Sequence, residues 1–260
     1  MVGFSYFLGS SRFMMYRSMV YLGALSELAR RLPSTIREAT EQNDWYTVTN
    51  LRSIPSVFVA LGDDASDEAA SHLSEAEAHL TRGAVLLQHY FCLAARGHLD
   101  LYRGDAQAGY ARFQALMPAL RRSLILRVQP IRVATLDLRA RLAIAASAGS
   151  HSRLQEAAMS AHSLQSMRPA WARALGDLVA GLLAAKAASD EKAGALFARA
   201  AAAFDAGSMP LHSAVAKTRL GQTLGGQTGR ELQANAVAWL RSNGYRNVDA
   251  TVESLAPLPP

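Results

Sequence analysis

Apolar residues recur three and four positions apart through almost the whole chain, and each run ends at a short group of glycine, aspartate, serine or proline. That period lays apolar side chains along one side of an α-helix, whereas a half-buried strand needs strict alternation. The spacing predicts helices over about 13–31, 34–42, 45–61, 65–82, 84–103, 106–120, 123–148, 151–166, 169–188, 190–206, 210–224 and 228–243. Pro33 and Pro169 suit first-turn positions, Asp63, Asp64 or Ser66 can cap the helix that follows, and Pro130 should break the long arginine-bearing segment. Half of the 260 residues are apolar, with alanine dominant and strand-length valine or isoleucine runs scarce. The expected class is therefore all-α, with a sizeable core.

No helix of this length buries its apolar side alone, so the helices must pair. Gly97, Gly104, Asp105, Gly109 and Phe113 match the small, Gly-Asp turn, small and aromatic positions of a tetratricopeptide helix pair, and Gly181, Ala193, Phe197 and Ala200 keep the same offsets. Small residues let paired helices approach while the aromatic ring fills the gap beyond them. We expect an α-solenoid of antiparallel helix pairs, a tetratricopeptide-like superhelix, over residues 13–245, with an N-terminal extension at 1–12 and a tail at 246–260. Such a stack offers a shallow open trough to a guest in place of a closed pocket. An ordinary helical bundle is the competing arrangement.

Several short motifs imitate chemistry. GQTLGGQT, from Gly221 to Thr228, resembles a phosphate loop, but Gln227 stands where the lysine belongs and the preceding segment is helical. Gly225 and Gly226 read instead as a corner between two helices. His98-Leu99-Asp100-Leu101 imitates a kinase catalytic loop without its arginine, its ATP loop or its paired lysine, inside a helical pattern. His72, Glu75 and His79 fall on one helix side and could face a metal, yet no complementary ligand set accompanies them. No catalytic, cofactor-binding or metal residues are assigned, and the chain is not expected to be an enzyme.

Arg121, Arg122, Arg127, Arg132, Arg139 and Arg141 share a segment whose only acid is Asp137. Arg127, Arg132 and Arg139 are the candidate partner-binding residues, as a stripe for an acidic protein segment or, in the alternative reading, for nucleic acid. The lack of stacking aromatics there lowers the nucleic-acid reading. The formal charge of +6 rests on arginine, which a solvated mixed-charge helical surface also explains. Cys92 is the only cysteine, which fits a reducing cytoplasm. Arg12 and Arg17 interrupt the apolar N-terminal run before it reaches the roughly 20 residues a membrane span needs.

Taken together, YLGALSELARRLP, the Leu101-to-Asp105 turn, RVQPIR, AFDAGSMPLHSAVAKTRLGQTLGGQTG and AVAWLRSNGYRN resemble the C-terminal helical region of large bacterial serine/threonine protein kinases that also carry a signalling ATPase module. The likeness runs from about Arg17 to the C terminus and is most specific at its end, where Gly207-Ser208-Met209, the Leu220 to Gly229 glycine cluster, Trp239 and Gly244 follow in order. It implies a tetratricopeptide-like sensor segment without the kinase or ATPase domain. Its implied role is a cytoplasmic scaffold that binds a protein or peptide and relays occupancy to a kinase or ATPase partner. A helical metal enzyme built on His72, Glu75 and His79 is the third alternative.

Overall fold

The computed structural model describes residues 2–81, 83 and 85–258, with side chains described from Phe7 onward. Met1, Arg82, Ala84, Pro259 and Pro260, at which some of the expected segments begin or end, lie outside the described residues. Among the described residues every regular element is a helix: α1 (Val2–Tyr21), α2 (Leu25–Glu41), α3 (Trp45–Arg52), α4 (Ile54–Gly62), α5 (Ser66–Ala78), α6 (Leu87–Arg103), α7 (Ala106–Arg122), a 3-10 turn (Ile125–Arg127), α8 (Gln129–Ala145), α9 (His151–Gln165), α10 (Ala170–Lys186), α11 (Asp190–Ala206), α12 (Pro210–Leu224), α13 (Gly226–Ser242) and α14 (Val248–Leu255). Consecutive helices from α8 to α13 pack directly on one another. The arrangement is compatible with an α-solenoid.

The expectations fail where local chemistry is overridden by packing. The first break falls at Leu22–Ala24, with Gly23 at φ 68°, and Pro33 lies inside α2. An internal proline is tolerated there because Leu28, Leu32 and Ile36 bury a continuous stripe on either side of it. The helix expected over 45–61 is two helices that meet at Ser53, with Pro55 in the first turn of the second. Pro130 opens α8 after the 3-10 turn, so the arginine segment is not one continuous helix. Pro169 precedes α10 as its cap. Neither Asp63 nor Asp64 caps α5: Asp63 pairs with Arg246 at 3.0 Å, and Asp64 accepts from the Tyr102 hydroxyl at 2.6 Å.

Both expected appendages belong to the fold. Residues 2–12 are the start of α1, with Gly9 so close to Thr47 that a Cβ there would lie 2.0 Å from Oγ1. The 246–260 segment carries α14, capped by the Asn247 side chain, which accepts from the Ala250 amide at 3.1 Å. Arg219, 2% exposed, donates to the Ala256 carbonyl through Nε and Nη2 and pairs with Glu253. The Arg246 amide donates to the Gly62 carbonyl at 2.9 Å, and α14 packs against α6. The end of the chain thereby returns to its first third.

The repeat positions lie where helices meet. Gly104 closes α6 at φ 78° and Asp105 precedes α7. A Cβ at Gly181 would lie 2.6 Å from the Phe197 ring, and Phe113, Ala193, Phe197 and Ala200 are buried. Gly97 leaves room for Leu138, and Gly109 for Asp100 and Leu142. At the glycine corner, Gly225 and Gly226 both take positive φ, and a Cβ at Gly221 would stand 2.5 Å from the Gly229 carbonyl oxygen. Helices α12 and α13 touch there backbone to backbone, α13 starts at Gly226, and Gln227 bonds to Glu231 within it. The corner is structural.

Two apolar clusters fill the interior, one mainly under α1 to α7 and one mainly under α9 to α14, and α8 contributes to both.

Candidate functional site

Polar side chains converge where the two clusters meet. Arg17 and Tyr21 come from α1, Phe58 from α4, Tyr90 and His98 from α6, Asp137 and Arg141 from α8, Leu175 from α10, His212 from α12 and Leu255 from α14. Every even-numbered helix from α4 onward reaches this chamber, and α1 closes its side; no odd-numbered helix after α1 takes part. The periodicity of the inner helices explains the convergence. Ala134, Asp137, Leu138 and Arg141 follow one side of α8, and Tyr90, Ala94 and His98 follow one side of α6.

The chamber encloses about 40 Å³, room for on the order of two or three water molecules. The sequence did not lead us to expect this interior space. Because the chain end packs back on α4 and α6, the inner helices surround a small, largely enclosed space.

Asp137 and Arg141 form its buried ion pair. Oδ2 of Asp137 accepts from Nε and Nη2 of Arg141 at 2.9 and 2.7 Å, and Nη1 of Arg141 donates to the Ser254 carbonyl at 2.8 Å. Burial raises the Asp137 carboxyl pKa against the pull of Arg141. Burial also pushes the His212 imidazole down to about 3, with Arg141 adding to the effect, and His98 well below its ordinary value. Both imidazoles are therefore neutral at physiological pH. Three buried atoms here have no partner: Asp137 Oδ1, His98 Nδ1 and His212 Nδ1. Arg17, 8% exposed, faces the rings of Tyr21 and Phe91 at 5.6 and 6.0 Å and pairs with no carboxylate among the described residues.

Two open grooves flank this interior. One, of about 440 Å³, lies between α1, Pro130, Trp171 and the α11–α12 turn, and shares Arg17 and Tyr21 with the chamber. The other, of about 460 Å³, runs across α2 to α5 over Leu32, Ile36 and Val59, with Arg37, Glu41 and Glu68 among its charged lining.

Of the residues singled out in the sequence, His98 and Arg141 line the chamber and His72 the α2-to-α5 groove, while the candidate partner-binding arginines lie elsewhere. Arg127 sits on the exposed 3-10 turn and Arg132 on the outer side of α8, while Arg139 is tied to Glu156 at 2.6 Å. The structure does not gather them into one stripe. His72 and Glu75 both turn to Arg52, whose Nη1 lies 2.7 Å from His72 Nδ1 and whose Nε lies 2.8 Å from Glu75. His79 stacks on Trp45 at 4.3 Å. Among the described residues no group of three histidine, cysteine or carboxylate side chains is placed to hold a metal ion. Asp100, of the kinase-like tetrad, is buried with Arg112 at 2.5 Å. Burial raises the Cys92 thiol to about 12, so it stays protonated.

Sequence reasoning missed Arg17, Asp137, Arg141 and His212 as one group. The usable signal was an acid and a base four apart inside an apolar stripe of α8, a spacing that pairs them wherever the helix is buried. Comparison with protein-family models, with curated proteins and with solved structures found no match.

Proposed function

We propose that the chain is a recognition scaffold without catalysis of its own: a tetratricopeptide-like superhelix of antiparallel helix pairs that binds a protein or peptide. The alternation around the chamber supports the paired architecture, since one helix of each successive pair faces inward. The observation that carries the binding role is the groove across α2 to α5, whose apolar floor is bordered by Arg37, Glu41 and Glu68. An apolar floor with a mixed-charge border suits an amphipathic peptide helix that presents apolar anchors between charges of both signs. The likeness to kinase-associated helical regions makes a kinase or ATPase the recipient of the signal, in a cytoplasm that keeps the single thiol reduced.

Selection from a displayed peptide library tests this. The selected peptides should carry apolar residues at helical spacing and lose about tenfold or more in affinity for Ala29→Trp, which fills the groove from a partly buried helix position. Arg37→Glu, at an exposed position on the border, should shift the selected charges toward basic residues. Recovery of no peptide, or of peptides indifferent to both changes, refutes the reading.

A further inference from the structure

Arg17 and Tyr21 belong to two spaces at once, the closed chamber behind them and the open groove of about 440 Å³ in front. We infer that chamber and groove form one bipartite site for a small carboxylic acid that bears an α-amino or α-hydroxyl group and an apolar side chain. This goes beyond the peptide groove on α2 to α5 and shares no residue with it.

Each part of the ligand answers an unsatisfied group. Arg17, a residue 8% exposed, has no anionic partner among the described residues and borders the open groove, and a carboxylate matches its fork with two parallel hydrogen bonds. Asp137 has spent one oxygen on Arg141, so its free Oδ1 calls for a donor. An ammonium or hydroxyl group one carbon from the carboxylate supplies it, and the chamber has room for a group of that size. The unpartnered Nδ1 atoms of His98 and His212, on neutral rings, accept or donate according to tautomer and so suit either group.

The charge count fits a carboxylate at Arg17. Arg141 balances Asp137, so Arg17 is left with one positive charge, which the carboxylate of an α-hydroxy acid cancels outright and which the carboxylate of an amino-acid zwitterion also faces. The body of the ligand lies in the groove, where Met14 and Leu22 are each 47% exposed and Trp171 and Met209 complete the apolar wall. Rings link the two spaces: Tyr21 lies 6.4 Å from Trp171 and stacks on His212 at 5.9 Å. A ligand seated here would touch α1, α8, α10 and the α11–α12 turn together, and so clamp the seam between the first helix and the C-terminal half.

Calorimetric titration and thermal shift on the full chain test the assignment with L-phenylalanine, L-3-phenyllactate, 3-phenylpropionate, which lacks the α donor, and phenethylamine, which lacks the carboxylate. The amino and hydroxy acids should bind and raise the melting temperature, 3-phenylpropionate should bind about tenfold or more weakly, and phenethylamine should not bind. Arg17→Gln should lower the affinity of both acids about tenfold or more while the unliganded protein stays folded by circular dichroism, since Arg17 holds no ion pair among the described residues. Trp171→Ala should weaken both acids as well, which keeps the test open should the Arg17 variant misfold. The assignment is overturned by either acid failing to bind at millimolar concentration, by binding that ignores both substitutions, or by equal affinity for 3-phenylpropionate and 3-phenyllactate.

Discussion

From α8 to α13 every helix has fifteen or seventeen residues and packs on its sequence neighbour, whereas α1 to α5 vary from twenty residues to eight. In that first part α1 packs on α3 and α4, α2 on α4 and α3 on α5, so helices reach past their neighbours. The buried faces differ in the same way. Ala172, Ala174, Gly176, Gly181 and Ala184 line α10, and Ala193, Gly194, Ala200 and Ala201 line α11. In the N-terminal part the buried faces carry Phe13, Tyr16, Leu28, Leu32, Ile36 and Leu51. Small side chains let neighbouring backbones approach and make pairing local, while bulky ones must interdigitate with whatever element fits them. The two regions therefore show two routes to a helical stack, one written in small residues and one decided by shape.

The largest expected effect comes from the element the regions share. Arg141→Ala leaves the Asp137 carboxylate buried and removes the bond to the Ser254 carbonyl. The loss should be about 3–5 kcal/mol, read by urea unfolding, and hydrogen exchange should rise in both regions together because α8 serves both cores. An effect confined to one region would separate them.

Gly221→Val should cost about 3 kcal/mol, because its Cβ would meet the Gly229 carbonyl at 2.5 Å and backbone cannot yield as a side chain can. Exchange should rise in α12 and α13 first and leave α2 to α5 protected. Uniform loss would show the two regions to be a single cooperative unit.

Acid should act through the shared chamber. His212 is held near 3 in the folded protein against an ordinary value of 6.5, so unfolding takes up a proton at any pH between the two. Its contribution to stability is complete above pH 6.5 and is lost as pH falls below that value, by up to about 1.4 kcal/mol per pH unit. His98, shifted in the same direction, adds to the slope, while Asp137, raised by burial, acts in the opposite sense toward the acid end. Denaturant titrations from pH 7 to about 5 should show a shallower slope for His212→Gln than for the wild type.

Asn247→Ala should have the smallest effect, about 1 kcal/mol, because it removes the cap of α14 and a 3.2 Å contact with Asp64 in the α4–α5 turn. A thermal melt that shows no change would mean the chain end contributes nothing to joining the regions.

Close helix contacts and turns were legible. Gly181 with Phe197, and Gly104 with Asp105, mark them by residue type, because only small side chains and a left-handed turn fit those places. The breaks at Gly23 and Ser53 were not legible, since Pro33 is the stronger local signal and packing of the Leu28, Leu32 and Ile36 stripe overrides it. Of the candidate site, the helical spacing of Asp137 and Arg141 was a signal left unread, and nothing local linked Arg17, His98 and His212 to them. Those residues lie tens of positions apart, and no local rule brings them together.

By itself, then, the order of residues determined an all-helical fold among the described residues, the small-residue contacts of its C-terminal half and the glycine corner at Gly225, because each depends on residues of the same helix or the next one along the chain. Only the tertiary structure decided that α14 returns to α6, that α1 closes the side of the inner layer, and that Arg17 meets a chamber built from α6, α8 and α12. Long-range packing settles those matters, since a buried charge acquires its surroundings only when distant helices enclose it.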